Sequence, residues 1–338
     1  MSEQQPLAAA RAGDGDAFAQ LVTPYGAELR AHCYRMLGSV HDAEDALQET
    51  LLRAWRGLAR FEGRSSLRSW LYTVATNVCL RAIERRPKRV LPIDHGPASA
   101  DPHADLDEPL TESVWIEPYP DESIELPDGL AGPDARYEQR ESVELAFIAA
   151  LQHLPAQQRA VLILRDVLGF TGAEAATALD TNPDAVYSAL QRAHKTVEER
   201  LPAQSQQATL RSLGDDRLRE IVEAYVDAWE RHDVDALAAK LAEDAVLAMP
   251  PFPDWYRGRE LVATFLRERP LADGSRWRLV PTHANGQPAF GHYRWDDQAQ
   301  AFAARAVAVL TLDGDEIGEI TAFRIPELLE RFGLPDKL

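Results

Sequence analysis

The sequence predicts a multidomain chain with three folded blocks: two all-α blocks, the second built as a helix-turn-helix, and a C-terminal α+β block. Three observations carry this. Residues 14–89 hold few helix breakers and repeat their apolar residues at helical spacing. Residues 91–142 are punctuated by Pro92, Pro97, Pro102, Pro109, Pro118, Pro120, Pro127 and Pro133, too often for a helix or a central strand. From Trp277 onward apolar residues alternate as strands do. The 338 residues suit two or more domains, and 45% hydrophobic residues are enough for packed cores.

Composition excludes several classes. No apolar run approaches the roughly 18 residues that span a bilayer, and the N-terminus carries acids where a secretory signal would carry basic residues, so a cytoplasmic protein is expected. Cys33 and Cys79 are too few for a disulfide framework or a CxxC metal site and read as buried, reduced thiols. No metal, cofactor or catalytic constellation is expected. The 36 Lys+Arg against 54 Asp+Glu give a net charge of −18, which at face value argues against binding nucleic acid. The distribution says otherwise: residues 1–90 are net +3, 91–142 net −12, and the stretch Thr50–Val90 alone is +8. The predicted organisation is therefore a helical block over 1–90, an acidic, solvated linker over 91–142, a helix-turn-helix over 143–202 and an α+β block over 216–338.

In the first block Leu47, Leu51, Ala54 and Leu58 share one helix face, and Asp42, Asp45 and Glu49 form an acidic stripe on the same helix. The next helix, about Ser66–Arg86, points Leu71, Val74 and Val78 inward. Its other stripe is Trp70, Thr73, Asn77, Arg81 and Arg85. An aromatic, an amide and guanidiniums in a row suit single-stranded DNA, because the ring can stack on a base while arginine holds phosphate. An ordinary solvated helix face has the same spacing.

In the middle block, amphipathic segments 143–154 and 156–168 flank Pro155. Thr171 and Glu174 stand in capping-box spacing before a short helix, Gly172–Leu179, and Asn182-Pro183 opens the next one. Val186 and Leu190 face inward, leaving Asp184, Tyr187, Ser188, Gln191, Arg192 and Lys195 outward. That pattern suits major-groove reading, and on spacing alone suits a structural helical hairpin equally. The C-terminal block begins with a helix at Leu218–Arg231, whose apolar face is Leu218, Ile221, Val222, Tyr225 and Trp229, and a second near Val234–Leu241. Antiparallel strands follow at Trp277–Val280, Ala289–Trp295, Phe302–Leu312 and Glu316–Ile325, with Asp313-Gly314 as a hairpin turn.

Three stretches, in order, resemble extracytoplasmic-function (ECF) sigma factors of the sigma-70 family. Asp42–Thr50 continuing to Arg53-Ala54-Trp55 is similar to their core-binding helix, and Phe61–Tyr72 with Ala75 and Asn77 resembles their −10 reader. Leu154–Arg159 with the helix-turn-helix is similar to their −35-binding region. The resemblance implies that Asp42, Asp45, Gln48 and Glu49 dock on the clamp of the largest polymerase subunit. It also implies that Arg64, Ser66, Arg68, Trp70, Asn77 and Arg81 open and read the −10 strand, and that Asp184, Tyr187, Ser188, Gln191, Arg192 and Lys195 meet the −35 element. Between Pro183 and Arg200 the basic Arg192, Lys195 and Arg200 are balanced by Asp184, Glu198 and Glu199, so weak or conditional −35 binding is expected.

The C-terminal block resembles the SnoaL-like (ketosteroid-isomerase-like) superfamily of conical half-barrels. Ala228-Trp229, Asp233–Leu237, Glu243–Val246, Met249-Pro250-Pro251, Tyr256–Arg259, Asn285–Ala289 and Phe332–Pro335 carry that likeness. Some members are cyclases or isomerases, and Asp244, Asp254, His283 and His292, with Trp255 and Tyr256 nearby, are the groups such chemistry would draw on. The linker stretch Ser113–Asp121 is similar to a motif of those sigma factors that carry this domain, and Trp115, Ile116 and Tyr119 are expected to find a pocket. The implied function is promoter-directed initiation by RNA polymerase, with the C-terminal domain regulating it in cis by packing on the sigma domains or the linker. A fusion to a catalytic or ligand-sensing domain, and a helix-turn-helix regulator that never meets polymerase, are the alternatives. The acidic tether could also compete with DNA for the basic face.

Overall fold

The computed structural model describes residues 4–63, 65–110, 114–123, 141–272 and 274–338. Two compact units emerge. One joins Met1–Arg89 to Ser123–Leu201, and the other joins Val90–Glu122 to Pro202–Leu338.

The first unit is helical: α1 (Gln4–Arg11), α2 (Gly15–Val22), α3 (Gly26–Leu37), α4 (Val40–Gly57), α5 (Leu67–Ile83), α6 (Leu145–Gln152), α7 (Ala156–Leu162, continued by a π turn at Ile163–Val167), α8 (Gly172–Ala178) and α9 (Pro183–Glu198). Its starts are the ones the side chains prescribe. Ser39 accepts from the Asp42 amide at 3.1 Å, and Ser66 from the Ser69 amide at 3.1 Å. The Thr171/Glu174 capping box forms, and Asn182 accepts from the Ala185 amide with Pro183 at the first turn of α9. Leu29, Met36, Leu58, Leu71 and Tyr72 are among the fully buried side chains at the centre of the first five helices, and Cys33 and Cys79 are buried, free thiols there.

The helix-turn-helix packs onto that bundle. Tyr72 of α5 meets Phe170 edge-on at 5.7 Å. Arg35, buried near the end of α3, donates to the Ser142 carbonyl at 3.1 Å and to its hydroxyl at 2.7 Å. Arg159 of α7 is also buried. Its guanidinium donates to the Met36 carbonyl at 2.5 Å, the Gln152 side-chain oxygen at 2.6 Å, and the Gln152 and Leu154 carbonyls at 3.1 and 3.2 Å. Burial brings Arg159 down to about 10, so it remains cationic at neutral pH.

The second unit is a six-stranded sheet backed by helices. It comprises α10 (Gln206–Glu230, interrupted at Gly214), α11 (Val234–Ala238), β1 (Leu241–Ala248), β2 (Trp255–Arg257), α12 (Arg259–Glu268), β3 (Trp277–Ala284), β4 (Gln287–Asp296), β5 (Ala301–Asp313), β6 (Glu316–Phe323) and α13 (Leu328–Arg331). The strand order is β2-β1-β6-β5-β4-β3, antiparallel except that β1 runs parallel to β6. The purely antiparallel sheet expected from the sequence omits β1 and β2. The alanine-rich Leu241–Ala248 carries no alternation to announce a strand, and its pairing with β6 is a tertiary decision. Ile221, Tyr225 and Trp229 of α10 are buried in the core of the cone, as their spacing predicts, with Leu218 and Val222 packed against it.

Residues 90–110 and 114–122 correct the picture of a solvated tether. They lie on the cone as a strap. The Trp115 indole donates to the Pro251 carbonyl at 3.0 Å, the Trp255 indole to the Gly96 carbonyl at 2.9 Å, and Asp254 accepts from the Asp107 amide at 2.9 Å. The Tyr119 amide donates to the Asn285 side-chain oxygen, and the Asn285 amide to the Tyr119 carbonyl, both at 2.8 Å. Trp115, Ile116 and Tyr119 are buried, so the apolar groups inside this acidic stretch do find a pocket. Ser113 and residues 124–140 lie outside the described residues.

Candidate nucleic-acid interface

The core-binding candidates lie on α4, and the structure separates them. Asp42 is 4% exposed: it accepts from Arg89 at 3.1 and 2.5 Å and pairs with Arg86. The expectation that Asp42 belongs to an outward acidic stripe is therefore corrected. A residue at the first turn of α4 faces the basic end of α5's extension, and two guanidiniums there neutralise it. Asp45 and Gln48 are exposed, and Glu49 is half-exposed and holds Arg53 at 2.5 Å. The outward stripe of α4 is thus His41, Asp45, Gln48 and Leu52, at helical spacings of 4, 3 and 4. Leu52 is 50% exposed, one of few large apolar side chains so placed. Sequence reasoning passed over Leu52 because it looks like any other core leucine; only its position relative to Ala54 and Leu58, both buried, marks it as outward.

This division is testable. Asp42→Asn should cost about 2 kcal/mol of stability, since the buried carboxylate that Arg86 and Arg89 hold is then neutral. Asp45→Asn should stay within about 0.5 kcal/mol. Urea unfolding of both variants distinguishes them; equal effects would show that Asp42 has no special structural role.

The −10 candidates are distributed along the start and outer side of α5. Arg64 lies outside the described residues. Ser66 is exposed and caps α5. Arg68, half-exposed at the start of α5, grips Glu28 of α3 with three contacts of 2.8–3.0 Å and lies 4.9 Å over the Tyr72 ring. Trp70 is half-buried against Phe61, ring centres 5.0 Å apart. Asn77 donates to the Thr73 carbonyl at 2.8 Å and stands 3.5 Å from the Ala178 carbonyl of α8. Arg81 and Arg85 are exposed. The stripe read from the sequence exists, and its middle is approached by the first helix of the helix-turn-helix.

On α9, all six −35 candidates, Asp184, Tyr187, Ser188, Gln191, Arg192 and Lys195, are exposed, while Val186, Ala189, Ala193 and Val197 are buried. The Tyr187 ring rests on Gly172, where a Cβ would come within 3.1 Å of its hydroxyl, and Arg165 lies 5.8 Å from the ring. His194 is tied to Asp166 at 2.5 Å. In the cone, Asp244 and His283 are exposed and Asp254 is spent on the strap; of the four groups named for catalysis, only His292 is buried. No cluster suited to a metal ion occurs among the described residues, and no helix among them is long and apolar enough to cross a membrane.

Comparison with known proteins fits this arrangement. Residues 21–89 match sigma-70 region 2, residues 144–197 match sigma-70 region 4, and residues 222–320 match the SnoaL-like domain. The ECF RNA polymerase sigma factor SigG of Mycobacterium tuberculosis is 43% identical, over 97% of this chain and 86% of its own length. SigM of the same organism is 29% identical over 57% of this chain. The crystal structure of Mycobacterium tuberculosis SigJ, an extracytoplasmic function sigma factor, shares the fold with a TM-score of 0.56 at 21% identity, covering 92% of this chain and 98% of that one. With the region 2 bundle, the region 4 helix-turn-helix and the cone all in place, the chain belongs to the ECF RNA polymerase sigma factors, as a member carrying a C-terminal SnoaL-like domain.

Proposed function

We propose that the protein binds core RNA polymerase through the outward face of α4, with Asp45, Gln48, Glu49 and Leu52 meeting the clamp of the largest subunit. α5 then reads the −10 strand and α9 the −35 element, in the cytoplasm where polymerase works. The observation that carries this reading is the outward set on α4. Three polar or acidic groups around one half-exposed leucine make a small amphipathic patch of the kind a protein partner covers, and a protein that only binds DNA has no use for it.

The helical unit described above is a closed form in this reading. Two promoter elements about 25 base pairs apart are separated by roughly 85 Å of duplex, at 3.4 Å per step. A compact unit of this size has a radius of gyration of only about 15 Å. Region 4 must therefore leave region 2 before both elements are read, which breaks the contacts of Arg35 and Arg159 and frees the Asn77 side of α5. The near-neutral α9 contributes few phosphate contacts, so −35 binding stays weak until polymerase holds the rest. The C-terminal unit, which carries the strap up to Glu122, regulates this opening in cis.

Promoter-dependent transcription by core polymerase supplemented with the full chain tests the reading. Asp45→Ala/Leu52→Asp should lower core affinity and transcript yield about tenfold or more, while leaving the melting transition in place. Full yield from that double variant would remove the α4 patch from the mechanism, and no transcript from the unaltered chain would remove the reading altogether.

A further inference from the structure

The sheet of the C-terminal unit encloses a cavity of about 630 Å³. That is the size of sites that take drug-sized molecules. Its walls include Trp229, Trp277, Phe265 and Met249. Two polar groups on the lining residues are buried with no hydrogen-bond partner in the protein: Nε1 of Trp229 and Nε2 of His292. Burial brings His292 down to about 3, so its ring is neutral at physiological pH.

The exposed side of the cavity is different. Arg294 of β4, Arg305 of β5 and Arg324, just past the end of β6, all line the cavity. His292 and Arg294 are two apart on β4 and so share a face. Arg305 joins them through a register shift. Ala306 pairs with His292 and Ala304 with Tyr293, leaving Arg305 as the extra residue of a bulge, which is why it and Ala306 both reach the lining. Asp296 approaches Arg305 at 3.8 Å, and neither Arg294 nor Arg324 has a carboxylate partner among the described residues. All three are exposed, and Arg294 and Arg324 lie over the Trp277 and Phe252 rings at 6.0 and 4.6 Å, so the rim of the cavity presents clustered guanidiniums beside aromatic faces. Arg269, also at the cavity, is spent on the strap: it donates to the His103 and Ala104 carbonyls at 3.0 and 2.6 Å, and this holds Leu106 against the opening. The lining carboxylate, Glu268, is exposed and holds His103 at 2.5 Å.

We propose that this cavity binds an apolar organic anion: a carboxylate or sulfonate on an aromatic or long aliphatic body, with its head on Arg294, Arg305 and Arg324 and its body against Met249, Phe265 and Trp277. The site goes beyond promoter reading and does not depend on it.

Two fluorescent probes of matched body test this on the full chain: 8-anilinonaphthalene-1-sulfonate, which carries the anion, and N-phenyl-1-naphthylamine, which does not. The sulfonate should saturate and take up excitation energy from tryptophan, and dodecanoate should displace it where dodecanol does not. Arg294→Gln/Arg324→Gln, both at exposed positions, should weaken the sulfonate about tenfold or more while moving the neutral probe less than about twofold. Equal affinities for the two probes, or a sulfonate affinity that the double substitution leaves in place, would overturn the proposal. So would an absence of saturable binding by the sulfonate.

Discussion

Arg159→Ala is expected to destabilise the helical unit by about 3–5 kcal/mol. The guanidinium is 4% exposed and is held by carbonyl and amide oxygens rather than by a carboxylate. Removing it leaves the Met36, Gln152 and Leu154 carbonyls buried without that donor, at the point where α7 meets the end of α3. Losing several buried partners together outweighs any relief from no longer burying a charge, since each unsatisfied group costs about 1–3 kcal/mol. Urea unfolding followed by hydrogen exchange at residues 36–38 and 152–154 measures both the size and the place of the effect. Arg159→Lys should recover part of it, because an ammonium can reach some but not all of the four acceptors. If region 4 is held closed by this residue, the alanine variant should also bind promoter DNA more readily at low temperature, where it stays folded. An unchanged unfolding midpoint would show that Arg159 does not join the two regions.

Trp115→Ala should cost the C-terminal unit about 3–5 kcal/mol. The indole is 4% exposed, donates to Pro251, and meets the His95 ring edge-on at 5.3 Å. Its backbone also matters: Val90 and Trp115 form a short parallel bridge, and the Ile116 amide donates to the Val90 carbonyl at 3.1 Å. Truncating the ring releases both ends of the strap at once. The melting transition of this unit should fall by on the order of 10 °C, and residues 99–110 should become quickly accessible to protease. A control at Glu108, exposed on the same strap, should change neither. If Trp115→Ala melts with the parent and resists protease equally, the strap is bound by something other than its aromatic anchors.

Much of the helical unit was legible from sequence because its signals are local. Ser39, Ser66, Thr171 with Glu174, and Asn182 with Pro183 each satisfy amides within three residues, so no distant contact is needed to place those helix starts. The outward set on α9 was legible for the same reason: Val186, Ala189, Ala193 and Val197 keep one face buried, and the six polar positions are what remains. Asp42 was misplaced because its environment is not local. Asp42 is captured by Arg86 and Arg89, from 40 or more positions away in the chain. A charged residue on a helix reads as solvated until the partner that buries it is known.

The sequence by itself determined the helical character of the first two blocks, their capped helix starts, the helix-turn-helix and the sign of charge along the chain. Caps, periodicity and composition act within a few residues of where they are written. Tertiary structure decided which charges are free. It turned Asp42 inward and left Leu52 outward, and it laid residues 90–110 and 114–122 of the acidic, proline-rich stretch on the cone instead of in solvent. It also paired Leu241–Ala248 with β6, and set Arg294, Arg305 and Arg324 side by side through a bulge. The reason is common to all of these. Burial, strand register and ion pairing depend on what arrives from elsewhere in the chain, and no local pattern encodes that arrival.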